Sequence, residues 1–186
     1  MGNGFEEFAE QDVIAATRAW LERAVIGLNL CPFAKAVHAA GRVHYCVSKA
    51  TTEDALVGDL ARELSALNEA NPDEIETILL IHPRVSGDFL DFNDFLELAD
   101  ATVEGLGLEG VLQVASFHPR YQFEGTEPDD ITNFSNRSPY PTLHLLREAS
   151  IERALAQFPD ADSIYERNID TLRKLGHAGW RLLFPS

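Results

Sequence analysis

Thr77-Ile78-Leu79-Leu80-Ile81 runs without a break into His82-Pro83-Arg84, and Val111-Leu112-Gln113-Val114-Ala115-Ser116-Phe117 runs into His118-Pro119-Arg120. Both apolar runs have strand length, and strands covered on both faces read as such runs. Proline cannot donate to a sheet ladder, so Pro83 and Pro119 each end a strand and leave a histidine as its last residue. If these are neighbouring parallel strands, two imidazoles and two guanidiniums gather at one carboxyl rim. Open α/β sheets bind ligands at that rim.

Val13, Thr17, Trp20, Leu21, Ala24 and Leu28 recur at helical spacing and predict a helix over 10–29. Asn29-Leu30-Cys31-Pro32 breaks it, and Pro32 suits the first turn of a short helix through Ala36. Val43, Tyr45 and Val47 alternate with His44 and Cys46, a strand over 42–48. Leu56, Leu60, Leu64 and Leu67 make one helical stripe behind a Thr51 cap, and Asn71-Pro72 ends it. Phe92, Phe95, Leu96, Ala99 and Val103 make another, ended by Gly105 and Gly107. Strand, helix, strand, helix, strand is the pattern of right-handed crossovers. Two helices close the chain, one over 142–157 and one with Ser163 and Glu166 in capping-box spacing that stops at Gly176. The expected fold is α/β: a single domain over 1–186, at least three largely parallel strands with crossover helices, an N-terminal helix and two C-terminal helices.

The chain has 186 residues, 30 of them acidic and 15 basic, for a formal charge of −15. That disfavours nucleic acid and anionic membranes as partners, but not a locally positive pocket for a small anionic molecule. No apolar run approaches the roughly 18 residues of a spanning helix, and Met1-Gly2-Asn3-Gly4-Phe5-Glu6-Glu7 lacks the basic start of a signal peptide, so a cytoplasmic setting is expected. Cys31 and Cys46 are too few for a disulfide framework and read as free thiols. No nucleotide cofactor is expected. The chain lacks the phosphate-loop pattern, and Gly105-Leu106-Gly107-Leu108-Glu109-Gly110 precedes a strand, where a dinucleotide loop follows one.

Taken singly, each His-Pro-Arg unit is a strand terminator with a solvated charge. Their repetition beside an aperiodic stretch from Pro119 to Pro141 favours a site, because connections that long are usually functional or disordered. Tyr121, Phe123, Ile131, Phe134 and Tyr140 anchor the stretch against disorder. His118 is then the candidate acid or base, with His82 as second imidazole. Arg84, Arg120 and Arg137 are candidates to grip a carboxylate or phosphate, and Asn133, Asn136, Ser138 and Tyr140 to orient it. Glu124, Glu127, Asp129 and Asp130 either hold the loop to those arginines or bind a divalent cation. Cys31 becomes a nucleophile if the first helix delivers it to the same rim, since a cysteine before Pro at a helix start meets the positive end of the dipole. His144 and Glu148, four apart on the expected helix, could complete a metal site with His118, or simply form a surface pair. Cys46, mid-strand, reads as core.

Three stretches are longer and more specific: Gly27-Leu28-Asn29-Leu30-Cys31-Pro32-Phe33-Ala34-Lys35, Ser116-Phe117-His118-Pro119-Arg120-Tyr121-Gln122-Phe123, and Asn136 through Pro139-Tyr140-Pro141-Thr142 to Glu148. On these the chain resembles a bacterial family of proteins of unknown function, domain-of-unknown-function family 1415, over nearly its whole length. The resemblance implies a bacterial, cytosolic, single-domain protein and singles out Cys31, His118, Asn136, Arg137, His144, Arg147 and Glu148. It implies no activity, cofactor or partner. The residue chemistry points to an enzyme, a hydrolase or transferase, acting on a small anionic metabolite. Two other readings fit the same residues: a non-catalytic binding module for a small molecule or a protein, and a metal-dependent hydrolase.

Overall fold

A computed structural model describes residues 9–157 and 163–184, so the N-terminal stretch read against a signal peptide lies outside the described residues. Among the described residues four strands form one sheet: β1 (Val43–Val47), β2 (Thr77–Ile81), β3 (Leu112–Phe117) and β4 (Thr142–Arg147), in the order β1-β2-β4-β3. β1 and β2 pair in parallel, while β4 runs antiparallel to both β2 and β3. The sheet is therefore mixed, and the two His-Pro-Arg strands are parallel but not adjacent.

The inserted strand corrects the expected helix over 142–157. Thr142, His144 and Leu146 alternate with Leu143 and Leu145, and the latter two are fully buried in the main core. A central position gives β4 a ladder on each side, which outweighs the helical preference of its leucines. Only the remainder, α5 (Glu148–Ala156), is helical.

Two crossover helices cover one face. In α3 (Glu53–Glu69), Leu56, Leu60, Leu64 and Leu67 are fully buried, and the Thr52 hydroxyl, one residue beyond the expected cap, accepts from the Ala55 amide at 3.3 Å. In α4 (Phe89–Gly105), Phe92 and Phe95 are buried, and the Asp88 carboxylate accepts from the Leu90 amide at 2.9 Å. These side chains meet Ile78, Leu80, Leu112, Leu143 and Leu145. Each such buried side chain contributes about 1.5–3 kcal/mol.

The N-terminal helix lies on the opposite face. It is α-helical over α1 (Glu10–Trp20) and then widens to π-helical turns over Leu21–Ile26, where the sequence predicts one helix to 29. The widening ends at Gly27, where a Cβ would stand 2.3 Å from the Arg23 carbonyl oxygen. Asn29 then turns the chain with φ 54°, a left-handed conformation that Asn tolerates. The short α2 (Ala34–Ala39) starts later than Pro32. At the other end, α6 (Ser163–Leu182) breaks at Gly176 (φ 63°), the expected stop, and resumes for a final stretch. No described helix is long and apolar enough to cross a membrane.

Candidate functional site

The two imidazoles do meet at one rim. Ile81 and Phe117 both pair with Thr142, so His82 and His118 emerge level with each other across β4. They do not face a ligand space there. Both are fully buried, and the Phe92 ring lies 5.6 Å from His82 and 5.0 Å from His118. His82 Nδ1 lies 3.1 Å from the Val85 carbonyl, which can only accept, so Nδ1 carries the proton and Nε2 is a bare, buried acceptor without a partner among the described residues. His118 Nδ1 accepts from the Arg120 amide at 3.0 Å, so Nε2 carries the proton and donates to the Ser86 carbonyl at 3.2 Å. Burial pushes the His82 pKa down to about 4 and lowers that of His118, where the Ser86 bond offsets part of the effect. Two neutral imidazoles thus hold the 82–88 turn, including left-handed Ser86, against the second corner.

The expected anion grip is dispersed. Arg84 is exposed, and Arg120 donates at 3.0 Å to both the Gly87 carbonyl and Asp88. Arg137 donates to the carbonyls of Tyr121 (3.1 Å) and Pro128 and lies 4.3 Å over the Phe134 ring. Asn133 accepts from the Phe123 amide (3.0 Å) and Thr126 (2.8 Å) and donates to the Glu127 carbonyl (2.9 Å). Asn136 donates to the Ser116 carbonyl and Ser138 to that of Tyr140. Tyr140 packs against Val13, Leu79 and Ile81. These side chains staple the 119–141 loop, which includes a 3-10 turn, Ile131–Asn136, and Phe134 docks on His177 and Trp180 of α6.

A different place offers space. A cleft of about 470 Å³ runs along the α1 face of the sheet, from Phe117 near the rim to Thr77, Glu76 and Arg147 at the far end of the strands. Trp20, Leu21, Val25, Leu79, Phe117 and Leu146 make most of its wall apolar. Among them stand Cys31 and His144. The Thr77 hydroxyl donates to the Leu145 carbonyl at 2.5 Å, so it accepts from His144 Nε2, 2.8 Å away. His144 Nδ1 is then unprotonated and has no hydrogen-bond partner among the described residues. Burial lowers the His144 pKa to about 4.

Two buried donors of lining residues, Trp20 Nε1 and Arg147 Nε, also lack a partner among the described residues. Buried polar atoms without partners are rare, so the pair calls for an explanation. The rest of the Arg147 guanidinium caps the end of α3 through the Leu67, Ala70 and Ile75 carbonyls at 2.6, 2.8 and 3.1 Å. Arg42 and Arg153 stand at the same end, 3.1 and 3.7 Å from Glu76. Three guanidiniums against one carboxylate leave that end positive in a strongly acidic chain.

The model of the family described as Protein of unknown function (DUF1415) matches residues 12–182. The chain belongs to that family. No curated protein and no solved structure matches it.

The DUF1415 span includes both rim and cleft, and the fold sorts the candidates between them. Cys31 sits in the cleft on the sheet face, apart from the buried His82–His118 corner. His144 and Glu148 do not share a helix face, because one is in β4 and the other opens α5. With His118 bonded to backbone at both nitrogens, the three do not assemble, and no group of three or more metal-ligating side chains forms among the described residues. Sequence reasoning missed Trp20, Thr77, Glu76, Arg42 and Arg153 as cleft residues. The available signal was the alternation of Thr142, His144 and Leu146, which assigns these side chains to one sheet face.

Proposed function

We propose that this protein is an enzyme acting on a small molecule with an apolar body and an anionic end, bound in the cleft, with His144 Nδ1 as the base. The observation that carries this reading is the wall of the cleft: mostly apolar, with Arg42, Arg147 and Arg153 gathered at one end. A volume of about 470 Å³ falls within the range of small-molecule sites. The positive end complements a ligand that carries an anionic group, such as a carboxylate or phosphate. Thr77 fixes the His144 ring and tautomer, and burial keeps the other nitrogen an unprotonated acceptor at neutral pH. The substrate class expected from the sequence is retained, while the chemistry moves from His118 to His144.

The test is a thermal-shift series with aromatic and medium-chain carboxylates, their phosphate counterparts and their neutral amides. The acids raise Tm and the amides raise it less. Leu146→Trp, which fills the cleft, removes the shift. Equal shifts in wild type and Leu146→Trp, or equal shifts by acid and amide, defeat the proposal.

A further inference from the structure

Cys31 is held with unusual care for a surface-turn residue. The Leu30 and Cys31 amides both donate to the Val25 carbonyl, at 2.9 and 3.5 Å, which closes the π-helical segment directly onto the cysteine. Asn168 of α6 donates to the Leu30 carbonyl at 2.9 Å, and the Cys31 carbonyl accepts from the Ala34 amide at 3.3 Å. Widened helical turns recur at functional sites, and left-handed residues persist where the surroundings enforce them. Here the widening and left-handed Asn29 together bring the thiol to the cleft wall, in the apolar cluster shared by Trp20 and Phe117. The Phe117 ring, in the same cluster as Cys31, lies 5.0 Å from Trp20 and 6.0 Å from His144, so thiol and imidazole border one cleft. Independently of the cysteine, His144 borders the same space with an Nδ1 that has no partner among the described residues.

We infer that Cys31 is the nucleophile of an acyl-transfer reaction in the cleft, with an ester or thioester of a carboxylate-bearing acid as substrate. The inference rests on the cleft being the ligand site. As Cys31 Sγ adds to the carbonyl carbon, His144 Nδ1 takes the thiol proton and the carbonyl electron pair moves to oxygen. When that pair returns, the bond to the alkoxide or thiolate leaving group breaks, and the leaving group takes the proton back from Nδ1. The acyl group is then a thioester on Cys31. A water molecule, giving its proton to Nδ1, attacks that thioester, and the thiol and a free carboxylate are released. No electrons are exchanged with any oxidant or reductant. The imidazole rests neutral before the substrate binds, its pKa lowered by burial.

Cys46 supplies an internal control. It faces the α3 side of the sheet, where burial and the neighbouring Glu63 carboxylate push its pKa up to about 12. It is therefore a thiol, and a poor nucleophile, at neutral pH.

The experiment uses the full chain with 4-nitrophenyl hydrogen suberate as acyl donor, following nitrophenolate release and mapping the acyl group by peptide mass spectrometry. The suberyl group is expected on Cys31 alone. Cys31→Ser abolishes release above background, His144→Gln slows it at least tenfold, and Cys46→Ala leaves it unchanged. An acyl group found elsewhere on the wild-type chain, or a His144→Gln rate equal to wild type, overturns the inference. Unlabelled suberate, tested by thermal shift on wild type and Cys31→Ser, separates the two readings. A retained shift without acylation defeats acyl transfer alone, and no shift in either protein defeats the cleft as well.

Discussion

The rim and the cleft each present a neutral histidine in a tautomer imposed by its surroundings, yet they differ in what is left over. At the rim, His118 gives both ring nitrogens to backbone, and His82 has a free nitrogen sealed behind Phe92. In the cleft, His144 gives one nitrogen to Thr77 and presents the other to an apolar space. The rim has the more conspicuous sequence, a tripeptide repeated at equivalent strand ends, and spends it on fixing two corners. Chemistry needs an atom that is both available and positioned, and repetition of a residue type reports only position.

The largest expected effect is acid sensitivity, to which buried His82 at the rim and buried His144 in the cleft both contribute. An unfolded imidazole titrates near 6.5, whereas folded His82 does so at about 4. Between those values the unfolded chain binds more protons, so stability is full above 6.5 and falls as pH drops toward 4, by roughly 3 kcal/mol from His82 alone. Denaturant unfolding across that range, in wild type and in His82→Asn, measures it. Asn can keep the donor to the Val85 carbonyl but cannot titrate, so the acid limb flattens. A limb of unchanged steepness in the variant counts against a sealed His82.

A smaller effect belongs to the loop. Asn133→Ala removes three hydrogen bonds from a buried residue and is expected to cost about 2 kcal/mol. Limited proteolysis should then cut within 119–141 while suberate binding in the cleft persists. Loss of binding with the loop still protected would tie the loop to the site after all. The smallest effect concerns Arg84, which is exposed and makes no hydrogen bond or ion pair among the described residues. Arg84→Ala should change stability by less than about 0.5 kcal/mol and leave binding and acylation untouched. A tenfold loss of either would restore the rim as a ligand site.

Much of this was legible from local pattern. The stripes Leu56-Leu60-Leu64-Leu67 and Phe92-Phe95-Ala99-Val103 define helices because residues three and four apart share one helical face. Pro83 and Pro119 end strands because proline has no amide hydrogen. Those features determined an α/β protein with two histidines at strand ends, and the register then brought them level. The sequence also named Cys31 and His144, each in another setting: Cys31 as partner to two imidazoles that prove buried, His144 on a helix that does not form.

Only the tertiary structure decided where β4 inserts, and that insertion determines the rest. A strand between β2 and β3 separates the two rim histidines, turns His144 toward the α1 face and leaves Glu148 outside the sheet. Strand insertion is a nonlocal choice, won by pairing with two distant partners at once, and no periodicity within 142–147 encodes which strands those are. The same holds for burial. A histidine's spacing says which face it occupies, but its freedom to react depends on which distant side chains cover that face.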